Sequence, residues 1–141
     1  MSANSRMTVA IHILSYLILA ESKGRVPVTS DQVASSVNTN PVVIRRMLGS
    51  LQEAGLVRSR RGANAGWTLA RRPDAITLLD VYKAVEEEPL FVLHASTPNQ
   101  KCPIGRNIQP TLRKIYGGVE QQLRRQLSQT TVQQVLAETI G

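Results

Sequence analysis

The stretch from Ser30 to Leu69 does most to restrict how this chain folds. Two short helical patterns meet at Asn38-Thr39-Asn40-Pro41, and the second runs straight into Gly55-Leu56-Val57 and a basic tip rich in Gly and Asn. A helix held against a second helix and followed by two short strands makes a helix-turn-helix with a wing.

The boundaries are written in residue types. Thr29 with Gln32 three residues on forms a capping box for the earlier helix, with Val33, Ala34 and Val37 inward and Ala34 small where a neighbour comes close. Asn40 caps the next helix, and Pro41 suits its first position because the missing N–H costs nothing there. That helix runs to Ala54. Ile44, Met47, Leu48 and Leu51 fall in one stripe, which leaves Val42, Arg45, Arg46 and Gly49 opposite. Gly55 stops it, Leu56 and Val57 lead into a strand, and Trp67-Thr68-Leu69 reads as the returning strand. Between them Arg60-Arg61-Gly62-Ala63-Asn64-Ala65-Gly66 supplies charge and conformational freedom.

Charge agrees with this pattern. Residues 1 to 72 carry 10 Lys/Arg against 3 Asp/Glu, and residues 73 to 141 carry 7 against 7, so the formal +7 resides in the half with the helix pair and wing. An anionic partner of that half gains both steering and counterion release, and double-stranded DNA fits the shape as well as the charge. Arg45 and Arg46 are placed for groove contact through guanine edges or phosphates, beside Val42. Asn38, Thr39 and Asn40 stand at the helix entry. Arg60 and Arg61, with Asn64 at the tip, suit phosphates or the minor groove, and Arg6 is a further phosphate contact.

The remainder of the chain reads as helices. Asn4 or Ser5 caps a first helix over about Arg6 to Glu21, with Met7, Ala10, Ile11, Leu14, Leu17 and Ile18 on one face. Its apolar run, Val9 to Ala20, is too short to span a bilayer, and its amphipathic face argues against an exported leader. The expectation is a cytoplasmic protein with no membrane partner. Thr77 with Asp80 is a second capping box, opening a helix through about Glu86; Glu86-Glu87-Glu88 and Pro89 end it. Phe91 to His94 is apolar and of undefined state. From Ile104, the residues Ile108, Leu112, Ile115, Val119, Leu123 and Leu127 recur at intervals of three or four. Pro110 either begins this main helix or kinks it. Gly117-Gly118 suggests backbone contact with another helix. Thr131 and Gln134 start a last short helix with Val132, Val135, Leu136 and Ile140 inward. So long a stripe on so small a domain needs a partner surface: a second chain, giving a homodimer with two reading helices, or the chain's own fold. The expected architecture is mainly α with a small β wing. A winged helix-turn-helix occupies residues 1–90, and a linker, a long dimerisation helix and a short terminal helix occupy 91–141.

Leu51-Gln52-Glu53-Ala54-Gly55-Leu56-Val57-Arg58-Ser59-Arg60-Arg61-Gly62, continued by Gly66-Trp67-Thr68-Leu69-Ala70 and Ile76-Thr77-Leu78-Leu79-Asp80-Val81, resembles the Rrf-two winged-helix transcription regulators of bacteria. The resemblance covers almost the whole chain. It implies a dimeric DNA-binding regulator, usually a repressor, on a palindromic operator, with Pro41 to Ala54 in the major groove and the wing around Arg60 to Gly66 in the minor groove. The family tip normally holds Gly-Gly, and this chain has Ala65-Gly66. Cluster-binding members carry three cysteines before the long helix, whereas only Cys102 stands here, at the position resembling the last of them, and His94 does not replace the missing sulphurs. The segment Lys101 to Ile108 instead resembles the cluster-free branch, in which some members sense oxidants or electrophiles through a thiol.

Cys102 precedes Pro103 near a helix start, where orphan N–H groups, Lys101 and Arg106 favour thiolate. Oxidation to a sulfenic acid or an inter-subunit disulfide would make it a sensor; the plainer reading is a small apolar residue in a loop. No cofactor or metal is expected. His12 and His94 are the only histidines, and no Ser/His/Asp arrangement, metal-ligand spacing or phosphate-cradling loop points to an enzyme. Two alternatives stay open: a winged helix that binds protein instead of DNA, and a regulator answering a small-molecule effector without thiol chemistry.

Overall fold

Helix α1 (Ala3–Ser22) is the hub of the fold in the computed structural model, which describes residues 3–86 and 88–141. Ala10, Ile13, Leu14, Leu17, Ile18 and Ala20 are buried along it, and it packs against α2 (Ser30–Val37), α3 (Pro41–Glu53), β2 (Gly66–Leu69), α4 (Leu78–Val85) and α6 (Val132–Ile140). A helix enclosed on several sides is apolar on more than one face. For that reason Ile13 joins the expected stripe, of which Met7 and Ile11 are only partly buried. The helix also begins before Asn4 and Ser5, so neither is its cap: these residues cap where the backbone turns away, and here it is already helical at Ala3. The Asn4 side chain and Glu87 lie outside the described residues.

The expected helix pair is present with its caps. Thr29 Oγ1 accepts from Gln32 N at 3.1 Å while Thr29 N donates to Gln32 Oε1 at 2.8 Å. Ile44, Met47, Leu48 and Leu51 are all buried beneath α3. Each such side chain contributes about 1.5–3 kcal/mol by leaving water. The strands β1 (Val57–Arg60) and β2 pair antiparallel from Val57 opposite Leu69 to Arg60 opposite Gly66. Val28 adds a bridge to Trp67, with Val28 N donating to Trp67 O at 3.1 Å and Trp67 N to Val28 O at 2.8 Å. Gly66 makes this approach feasible: its φ is +151°, and a Cβ there would stand 2.6 Å from the Val28 carbonyl oxygen. Of the two tip positions Ala65-Gly66, the glycine kept is the one that geometry requires.

A short 3-10 turn at Pro73–Ala75 leads to α4, whose capping box joins Thr77 and Asp80. From Glu88 the described residues run without helix or strand to α5 (Pro103–Leu127). Within that segment Phe91 stacks on Tyr116 of α5, ring centroids 5.1 Å apart. Helix α5 starts at Pro103 and passes through Pro110 as a single element. One proline removes one N–H, and the flanking turns supply the remaining bonds.

The last helix, α6, returns to the first. Val132 is fully buried in the core around α1 and Leu136 packs against that core, whereas Ile140, expected inward, is 61% exposed; at 3.6 residues per turn it has rotated about 80° from the line of Val132. Thr131 caps α6 through the expected box with Gln134. Thr77 and Thr131 form an antiparallel bridge, with Leu78 N donating to Thr130 O and Val132 N to Ile76 O, each at 2.9 Å. Helix α5 touches the rest of the chain mainly at α4. There the buried Tyr82 hydroxyl donates to Glu120 Oε1 at 3.0 Å, and Arg124 Nε bonds the same oxygen at 3.3 Å. The Arg124 guanidinium carbon also lies 5.6 Å from the Tyr82 ring centre. Burial, and then the bond to Glu120, hold the Tyr82 hydroxyl above its ordinary titration range. Among the described residues no helix is long and apolar enough to cross a membrane.

Candidate nucleic-acid interface

The turn between α2 and α3 sets the outward face. Asn38 takes a left-handed conformation, φ 64°, and its N–H bonds Ala34 O at 2.8 Å, closing α2. Asn tolerates this region better than most residues. Thr39 N also donates to Ala34 O, at 3.1 Å. Asn40 Oδ1 accepts from Val42 N at 2.8 Å and Pro41 occupies the first helical position, so the amide oxygen of this exposed residue serves the helix.

Beyond the turn, Val42 is 44% exposed, and Arg45 and Arg46 are exposed one turn further along the face opposite the buried stripe. A Cβ added at Gly49 would meet nothing within 4 Å, so the face is open there as well. Arg60 and Arg61 are exposed at the end of β1, and Asn64 is exposed at the wing tip. Among the described residues none of Arg45, Arg46, Arg60 and Arg61 has a carboxylate partner, whereas Arg71 pairs with Asp80 at 3.2 Å and Arg72 with Asp74 at 2.6 Å. These four arginines lie together on α3 and the wing, where they are open to phosphates.

The structure gathers nine of the ten expected contact residues on α2–turn–α3 and the wing: Asn38, Thr39, Asn40, Val42, Arg45, Arg46, Arg60, Arg61 and Asn64. It places Arg6 elsewhere, lining a cavity with Met7, Tyr82 and Leu127. Two residues of this surface escape the sequence reading. Arg58 is exposed and two residues before Arg60, hence on the same face of β1; the period of two is the available signal. Gln52 Nε2 reaches Ser59 Oγ at 3.3 Å and ties the end of α3 to the wing, a contact across seven residues that no local pattern announces.

Cys102 is the N-cap of α5, half-buried, with no hydrogen bond from its side chain to the helix. Its N–H donates to Asn99 O at 3.2 Å, and a Cβ at Gly105 would collide with the Asn99 carbonyl, so this corner is tightly closed. His94 lies in the preceding loop, its Nδ1 accepting from Ser96 N at 3.1 Å. His12 is exposed on α1, 2.9 Å from Ser36 Oγ.

Comparison with known proteins agrees with this geometry. The family model Rrf2, described as an iron-dependent transcriptional regulator, matches residues 3–138. YwnA of Bacillus subtilis (strain 168), named as a helix-turn-helix-type transcriptional regulator, is 41% identical over 134 residues, covering 94% of this chain and 96% of YwnA. A crystal structure described as that of a DNA-binding protein superposes with a TM-score of 0.74 at 36% identity, over 94% of this chain and 99% of that one. The structure of CymR, the global cysteine regulator of B. subtilis, shares the fold at a TM-score of 0.69 and 23% identity, over 98% of this chain and 96% of CymR. The family's iron does not fit the donors present: the sequence holds a single cysteine, and among the described residues no three His, Cys, Asp or Glu side chains converge. The winged helix, its bare arginines and a match along nearly the whole length lead to one conclusion: the chain belongs to the Rrf2 family of DNA-binding transcriptional regulators.

Proposed function

We propose that two copies of the chain pair through α5 and that the dimer, in the cytoplasm, represses transcription from a palindromic operator. In this reading α3 enters the major groove and the wing tip reaches the minor groove. The observation that carries it is α5 itself: it has no buried residue, and Ile104, Ile108, Ile115 and Val119 are exposed along it. Gly117 and Gly118 leave open space where a side chain would stand, room for a second helix to approach its backbone. Two-fold pairing presents two copies of Val42, Arg45 and Arg46 to one duplex.

The test is selection of an operator from random duplex DNA, followed by salt-dependent binding. Arg46→Ala is expected to reduce discrimination between operator and random duplex, about 1–3 kcal/mol if it touches a base edge. Arg60→Ala is expected to weaken both equally and to lower the salt slope by about one. Equal uniform losses would reduce α3 to a positioning element, and a chain that stays monomeric at micromolar concentration would overturn the dimer.

For release we propose the Cys102 thiol, whose sulfur attacks a peroxide oxygen to give a sulfenic acid and water, or adds to an electrophilic carbon. Its support is its place: half-exposed, at the first turn of the helix that joins the subunits. Peroxide or quinone should then release operator from the native chain and not from Cys102→Ser; release from both would return Cys102 to a packing role.

A further inference from the structure

A cavity of about 570 Å³ opens where α1, α4 and α5 meet, and its walls have a definite chemistry. Its floor is aliphatic, from Leu123 and Leu127 of α5 and Leu90 of the connecting segment. Its polar wall is Tyr82, Glu86 and Glu88. Among the described lining residues Arg6 is one cation beside these two carboxylates. A neighbouring space of about 340 Å³ shares Tyr82, Glu86 and Glu88 and extends to Glu120, with Lys83 and Arg124 as its cations. The volume is that of an organic-ligand site, and an apolar body with few polar groups is the usual content of one.

The protein already shows what suits this wall. Arg124 lies over the Tyr82 ring and bonds Glu120, so an aromatic face and a carboxylate hold a delocalised cation between α4 and α5. Glu86 and Glu88, which line both spaces together with Tyr82, offer this arrangement to a visitor.

We propose that this junction is an effector site for an amphipathic organic cation. Its charged head takes Glu86 and Glu88 beside Tyr82, and its apolar body lies on Leu123 and Leu127. Occupancy bears on the Tyr82–Glu120–Arg124 contact, the side-chain link between the unit carrying α3 and the helix α5. An effect on DNA rests on the function proposed above; the binding itself does not.

The full chain is dialysed against tetraphenylphosphonium and, separately, tetraphenylborate, two ions of one shape and opposite charge. With a net charge of +7 the chain attracts the borate generally and repels the phosphonium. Saturable phosphonium binding, weakened about tenfold in Glu86→Gln/Glu88→Gln, is the expected result, since a charge-assisted contact is lost while borate uptake does not fall. Phosphonium binding that never saturates, or that the double substitution leaves unchanged, overturns the site. In a second arm saturating phosphonium shifts duplex affinity several-fold for the native chain and not for the variant; no shift overturns the coupling. Absence of any duplex affinity without phosphonium is instead a failure of the DNA reading and leaves the dialysis result intact.

Discussion

The unit built on α1 and the helix α5 spend similar apolar residues in opposite ways. In the first, Ile13, Leu14, Leu17, Ile44, Leu48 and Leu51 are fully buried by their own chain; in the second, Ile104 is 72% and Ile115 54% exposed. Apolar periodicity therefore states that a face must be covered and leaves open which molecule covers it. The first region bears the stability of the single chain, and in the second no residue of the helix is buried.

Substitutions on the two sides should separate accordingly. Leu48→Ala, in the region closed on itself, is expected to cost about 2–5 kcal/mol in urea unfolding, since it leaves a cavity among fixed neighbours; a cost below about 1 kcal/mol would mean that α3 is not anchored by this stripe. Gly66→Ala should follow at about 1–3 kcal/mol, with loss of the Val28–Trp67 bridge visible in amide exchange, whereas Ala65→Gly should leave that bridge intact.

At the joint between the regions, Tyr82→Phe should cost about 1 kcal/mol near neutral pH by removing the hydroxyl bond to Glu120. The sign of its pH dependence is set by the raised native titration of Tyr82. The unfolded phenol loses its proton first, near pH 10, so the stabilisation is complete below that value and declines above it. The stability difference between the native chain and the Tyr82→Phe variant should therefore shrink in alkaline urea titrations. Smallest in effect on the fold is Ile115→Glu: below about 0.5 kcal/mol for the monomer, with unchanged helix content, while sedimentation shifts from dimer to monomer. A large loss of helix content would show that α5 already covers this residue itself.

What can be read from residues alone divides along the same line. The boxes at Thr29, Thr77 and Thr131, the Asn40–Pro41 entry and the buried stripe of α3 are local or strictly periodic, and each is present. The start of α1 differs from the expected one because several polar residues there can cap and only tertiary packing chooses among them. The continuation of α5 through Pro110 is undecided in the sequence for a related reason: proline's local cost is set against a whole helix of bonds. At the candidate nucleic-acid surface, Arg45, Arg46 and Arg60 follow from helical and strand periods, while the Gln52–Ser59 contact and the setting of Arg6 require the folded chain.

The Thr77–Thr131 bridge has a mechanical corollary. Because the chain leaving α5 is stitched by two main-chain bonds to the threshold of α4, the helix is a strap buckled at its carboxyl-terminal end and not a free lever. A load along it is delivered through peptide groups, which no side-chain exchange removes. Pairing of two such straps would thus set the spacing of the attached heads even where their outer residues diverge.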